Sequence, residues 1–160
     1  MIVVADSSPL IVLVKTGDVH LLPQLFDEIA VPSQIHAELT STLRTPEVRG
    51  FYASPPEWLR VHVSEPAPPF PGLHAGESAA IRLASTLRAA YLLIDERKGR
   101  AAAVERGLVV LGTVGIFELA AINGLCQLAE VFDRLKATDF WYPRSHLDAR
   151  LKAFREQRTP

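Results

Sequence analysis

Sulfur chemistry is nearly absent from this chain. Its one cysteine, Cys126, cannot close an internal disulfide, and in an apolar helical stretch it reads as a small buried hydrophobe. Zinc is excluded next, because the five histidines, His20, His36, His62, His74 and His146, show neither H-x3-H nor HExxH spacing and no CxxC exists. No GxGxxG or GxxxxGK[ST] follows a strand-like run, and "GTVG" at 112–115 reads as a turn between a strand and a helix. Charge of one sign is lacking too. The 17 basic and 18 acidic residues leave a net charge of −1, which tells against a protein that coats nucleic acid by bulk electrostatics. No stretch approaches the ~20 consecutive apolar residues of a membrane span. The N-terminus lacks the basic segment of a signal peptide, so no membrane association and a cytoplasmic location are expected.

What is present is an ordinary globular balance, 48% hydrophobic and 22% charged, unlike that of a disordered chain. The 160 residues suit one domain, 1–160, burying roughly 70% of its unfolded surface. Short β-branched runs at 2–5, 28–31, 59–63, 91–94 and 108–111 alternate with helical patterns, which predicts a parallel α/β sheet with helices on both faces. The helices are expected at about 8–16, 19–26, 33–43, 46–53, 76–89, 97–106, 114–123, 127–137 and 144–157. Start and stop signals are Ser33 after Pro32, Thr45 before Pro46, Gly76 before Glu77, and Asn123-Gly124. The stretch 64–73, "SEPAPPFPGL", reads as a Pro-rich loop. Basic residues gather in "ERKGR" (96–100) and over 144–158, either as solvated helix faces or as a phosphate-facing rim.

The run Ile2-Val3-Val4-Ala5 stops on a carboxylate, Asp6, followed by Ser7 and Ser8. In a parallel sheet the residues after a strand crowd the carboxyl edge, where ligands bind. Four acids meet that condition: Asp6 after the first strand, Glu38 in the helix after the second, Glu77 opening "ESAAIRLA", and Asp95 after the fourth in "YLLIDERKGR". Each alone has an ordinary explanation. Asp6 and Asp95 can cap helices, Glu77 can favour the positive end of its helix, and Glu38 can face water. Together they would repel one another unless a cation lay among them, and carboxylate oxygens suit Mg2+ or Mn2+.

An apolar strand ending in "ADSSPLI", then "VPSQIHAEL", "HAGESAAIRLA" and "LLIDERKGRAAA" followed by "GLVVLGTVGIF", resembles the PIN domain, a family of metal-dependent ribonucleases that includes toxins of VapBC-type toxin-antitoxin pairs. The resemblance covers about 1–125 and leaves additional C-terminal helices at about 127–157 unassigned. It implies a three-layer fold with a five-stranded parallel sheet of order 3-2-1-4-5, homodimerisation, and inhibition by a small antitoxin protein. It also implies that Asp6, Glu38, Glu77 and Asp95 are the catalytic and metal-ligating acids, with Ser7 or Ser8 near the metal. Where many family toxins carry a Thr-x-Asp, this chain reads Ile94-Asp95-Glu96-Arg97, so either Asp95 or Glu96 can be the fourth acid.

The expected activity is hydrolysis of RNA phosphodiester bonds with Mg2+ or Mn2+ held by those acids, and with Arg97, Lys98 and Arg100 on flanking phosphates. A PIN-like module that binds nucleic acid or a partner without useful cleavage is the first rival. A receiver-like phosphoacceptor fares worse, since the first strand is followed by Asp6-Ser7-Ser8 and not by an acidic pair, and the last by Gly112-Thr113 and not by a lysine.

Overall fold

Val3, Val4 and Ala5 have no solvent exposure, so the strand they form, β1 (Ile2–Ala5), must be covered on both faces. The computed structural model describes residues 1–159, and the last residue of the expected 1–160 domain, Pro160, lies outside the described residues. β1 pairs in parallel with β2 (Glu28–Pro32) on one side and β4 (Tyr91–Leu93) on the other, with Val4 opposite both Ala30 and Leu92. β3 (Leu59–His62) extends the sheet beyond β2, and β5 (Val110–Leu111) extends it beyond β4. Among the described residues this makes one five-stranded parallel sheet of order β3-β2-β1-β4-β5, as expected. The chain leaves β1 in one direction and returns to its other side, so the switch point where such sheets open a crevice lies at the end of β1.

Helices pack around this sheet. α1 (Ser7–Thr16) is apolar on nearly every side and is buried from Pro9 to Val14, because α3 (Ser33–Leu39), α4 (Pro46–Ala53), α7 (Thr113–Ile122) and α8 (Leu128–Lys136) all touch it. It ends at Gly17, whose left-handed backbone (φ 79°) returns its N–H to Leu13 and Val14. The next expected helix, 19–26, is a 3-10 turn followed by a single turn, α2 (Leu22–Leu25). α3 (Ser33–Leu39) is shorter than the expected 33–43. The Thr40 hydroxyl bonds the His36 carbonyl at 2.9 Å, and Ser41 accepts from the Leu43 amide, so side chains take over the backbone partners that helix would need. Ser33 begins α3 without capping it, whereas Thr45 does cap α4 (Pro46–Ala53) by accepting from Val48.

The Pro-rich loop returns the chain to the carboxyl edge. Phe70 lies between the guanidinium groups of Arg82 and Arg106, 4.3 and 3.9 Å from its ring centre, and its amide donates to Ser78. α5 (Ala75–Leu87) therefore starts at that edge and packs on β1, β2 and β4. After β4, α6 (Arg97–Glu105) closes with Leu108 donating to Ala103. That bond delays pairing in β5, so the strand is shorter than the expected 108–111.

The C-terminal part is α7 (Thr113–Ile122), α8 (Leu128–Lys136) and α9 (Arg144–Gln157). Leu128, Val131, Phe132 and Leu135 form the buried stripe of α8. Cys126 is half-buried, and burial raises its thiol pKa. Among the described residues no helix is long and apolar enough to cross a membrane.

Arg134 of α8 grips the buried Asp18, just after α1, through Nε at 3.1 Å and Nη2 at 2.7 Å. Removing the arginine strands a buried carboxylate, although the half-exposed guanidinium makes this milder than breaking a fully buried pair. Arg134→Ala is expected to cost roughly 2–3 kcal/mol in urea unfolding at pH 7. A change within experimental error would mean that water replaces the guanidinium.

Candidate active site

Asp6 stands where an N-cap residue of α1 would stand, with extended backbone (φ −78°, ψ 168°), yet its side chain makes no capping hydrogen bond. The cap explanation for this residue is therefore overturned. Its amide donates to the Leu93 carbonyl at 2.8 Å, continuing the β1–β4 ladder and fixing the side chain at the switch point. The residue is 4% exposed, and its Oδ1 is buried with no hydrogen-bond partner among the described residues. Burial, joined by the carboxylates of Glu38 and Glu77, pushes its pKa up to about 7, against the opposing pull of the Ser7 amide and His74.

Glu77 lies in the first turn of α5 and is 3% exposed. Burial raises its pKa, with Glu96 and Glu38 adding to the shift, while the exposed His74, 3.2 Å away through Nε2, opposes it. Glu38 is half-buried on α3, and its Oε2 accepts from the Ser7 hydroxyl at 2.8 Å. Gly76 allows this approach. A Cβ there would overlap Glu38 Oε1 and lie 2.9 Å from Ile35 Cδ1, so position 76 serves as a gap in α5 and not as the helix start expected of it.

Asp95 differs from the other three. Its Oδ2 accepts from Ser8 at 3.0 Å and from the Thr113 hydroxyl at 2.7 Å, and its Oδ1 accepts from the Thr113 amide at 2.7 Å. It thus ties α1 to the start of α7, and most of its lone pairs are engaged. Glu96, not Asp95, is the N-cap of α6, accepting from the Gly99 amide at 2.8 Å. Of the expected phosphate contacts, Arg97 is exposed and Arg100 half-buried, and both line the cleft described next. Arg100 is folded onto the Ile94 carbonyl at 2.9 Å. Lys98 is exposed but away from the cleft lining.

Asp6, Ser7, Ser8, Glu77, Asp95 and Glu96 line one side of a cleft of about 850 Å3. Glu38 sits behind this wall, reached through Ser7. The loop before α9 also lines the cleft, and there Phe140 and Tyr142 stack nearly parallel (10°) with centres 6.3 Å apart and Trp141 is 85% exposed. Sequence reasoning missed these residues. The signal was available as three successive aromatic residues, Phe140-Trp141-Tyr142, ahead of Pro143. Of the basic tail, Arg150 reaches the cleft and pairs with Glu118, while Lys152 pairs within α9 with Glu156.

The donor chemistry suits a hard divalent cation, since Asp6 lies near enough to Glu38 and Glu77 to feel their charge and its Oδ1 has no hydrogen-bond partner among the described residues. A finished cage is not formed: among the described residues no three His, Cys, Asp or Glu side chains are arranged to hold a metal ion. The contacts of Glu38 with Ser7 and of Glu77 with His74 would have to be exchanged for the ion.

Residues 2–156 match the family model DUF3368, a PIN domain. Among solved structures the chain is similar to a PilT N-terminus domain protein from the hyperthermophilic archaeon Sulfolobus solfataricus P2. That likeness has a TM-score of 0.52 and 17% sequence identity, and covers 79% of this chain and 97% of that one. No functionally curated protein shows detectable sequence similarity.

A carboxyl with a raised pKa binds more protons folded than unfolded, so it lowers stability as pH climbs from its ordinary value near 3.8 to about 7. Asp6→Asn removes that penalty. In EDTA the variant should equal the parent near pH 3.5 and exceed it at pH 8 by on the order of 2–4 kcal/mol in urea unfolding. Equal stability at pH 8 would mean that the carboxylate is adequately solvated after all.

Proposed function

The chain belongs to the PIN-domain family, and on that premise we propose that it is a Mg2+- or Mn2+-dependent endoribonuclease that hydrolyses RNA phosphodiester bonds. The observation that carries the reading is Asp6 Oδ1, a buried carboxylate oxygen without a hydrogen-bond partner among the described residues, on a residue that lines the cleft and whose pKa two more carboxylates raise. Stability alone gives no reason to keep such a group, whereas a cation does.

In this reading Asp6 is the central ligand and Glu77 the second, both on the cleft floor. Glu38 joins them or acts through the Ser7 hydroxyl that holds it. The ion, when bound, would polarise the scissile phosphodiester and the attacking water. Asp95 keeps the Ser8 hydroxyl and the amide end of α7 in place at the cleft. Glu96 is excluded as the fourth acid on this reading, because its carboxylate is spent on capping α6. Arg97 and Arg100 meet phosphates on either side of the cut, with Lys98 too far around α6 to take part.

The same reading makes the protein a cytoplasmic, homodimeric toxin held in check by a small antitoxin protein, supported by the sequence features shared with toxins of the family. A second reading is favoured by the unformed cage: a PIN-like module that binds RNA or a partner with little cleavage. Manganese binding measured by calorimetry separates them, since only the nuclease needs it for turnover.

With Mn2+ and single-stranded RNA, Asp6→Asn and Glu77→Gln are each expected to lower the cleavage rate by roughly a hundredfold or more, while Glu96→Gln stays within a few-fold of the parent. Comparable losses in all three would remove the distinction drawn between ligand and cap. Gly76→Ala gives a subtler test. Ala is favoured in a helix by about 1 kcal/mol over Gly, which offsets part of the cost of pushing Glu38 Oε1 aside and crowding the buried Ile35 Cδ1. Melting temperature should therefore fall only slightly while displacement of Glu38 weakens Mn2+ binding by roughly tenfold.

A further inference from the structure

A polyanion entering a cleft floored by carboxylates must be held by groups away from them. The chain supplies such groups beside the cleft, on the far side of Trp141. A second groove of about 300 Å3 shares Ser7, Ser8, Phe140 and Trp141 with the first, so these four residues form the saddle between the two. Beyond the saddle its lining carries two cations, Lys15 and Arg44, and one acid, Asp139. Lys15 is occupied by Asp139 at 3.0 Å. Arg44 lies near enough to Asp139 to lower its pKa but makes no ion pair with it, and its Nε is buried without a hydrogen-bond partner among the described residues. The saddle itself is topped by an indole that is 85% exposed, a costly placement for the largest apolar side chain unless something flat lies on it.

We propose that this second groove and its saddle are the anchoring track for single-stranded RNA, with one phosphate on Arg44 and an unpaired base stacked on Trp141. The inference rests on the nuclease reading for its direction, since the strand then runs over Ser7 and Ser8 to the acids. Single strands are favoured over duplexes because an exposed ring takes only a base that is free of its neighbours. The pairing of a guanidinium in need of an acceptor with an exposed aromatic face suits a nucleotide, whose phosphate and base match the two in turn.

The test uses the full chain, a fluorescein-labelled 2′-O-methyl oligoadenylate decamer and EDTA, so that nothing is cut. Binding is followed by anisotropy, with circular dichroism melts as a check on folding. Trp141→Ala is expected to weaken the single strand by roughly tenfold and leave a decamer duplex unchanged, with Trp141→Phe recovering most of the loss. Arg44→Gln should flatten the slope of log affinity against log salt by about 0.7, the share of one phosphate on a single strand. An unchanged affinity in Trp141→Ala, an equal loss for single strand and duplex, or an unchanged salt slope in Arg44→Gln overturns the track. So does a parent protein that fails to bind the decamer in EDTA. The nuclease reading is judged separately by Mn2+-dependent cleavage, so the track can fail while the enzyme stands.

Discussion

A buried carboxylate oxygen with no hydrogen-bond partner among the described residues is the constraint around which the cleft is organised. Asp6 has this condition because β1 is the central strand and because its own amide is drawn into the ladder with β4. The backbone places the side chain at the switch point before any neighbouring acid is considered. Glu38 and Glu77 then make the position worse for an isolated anion, each by raising its pKa. Unlike the buried Asp18, which Arg134 pairs, Asp6 is kept buried beside other acids with no cation bonded to it among the described residues. That is the pattern of a site built for a ligand and not for the resting fold.

Holding the acids close requires small and hydroxylic residues around them. Gly76 removes a side chain so that α5 can approach α3, and without that gap Glu38 Oε1 would have nowhere to sit. Ser7 and Ser8, adjacent on α1, face different acids: one donates to Glu38 and the other to Asp95. A single turn of helix thus connects the two halves of the site. Thr113 closes the other side by giving both its amide and its hydroxyl to Asp95, which anchors α7. Asp95 is in this sense a scaffold carboxylate, and the difference between it and Asp6 lies in donors supplied, not in residue type.

The frame of the site was legible in the sequence because it depends on local signals. β-branched runs ended on acids, and a parallel sheet collects strand ends at one edge, so Asp6 and Asp95 could be placed there with no tertiary information. Which hydrogen bonds Asp95 and Glu96 make was not legible. It turns on which carboxylate reaches the Gly99 amide and which reaches Thr113, eighteen residues on along another element. The early end of α3 had a local cause in the hydroxyls of Thr40 and Ser41, hidden because the same residues also occur inside helices. The aromatic wall was missed for a different reason. Phe140, Trp141 and Tyr142 lie far from the acids in sequence, and only the docking of α8 on α1 brings their loop across the cleft.

That docking divides the labour of the molecule in a physically sensible way. On the proposed nuclease reading, acids that gather a cation repel the phosphates of a substrate, so chemistry and affinity call for separate groups. The N-terminal strands and helices supply the acids, while the loop before α9 supplies apolar area and α6 and the turn after α3 supply cations. Arg134 fastens α8 to Asp18 at the end of α1, and the aromatic loop has ties of its own, Asp139 to Lys15 on α1 and Tyr142 to Arg150 on α9. The aromatic wall is thus held from both α1 and α9, by contacts separate from those of Asp6, Glu38, Glu77 and Asp95.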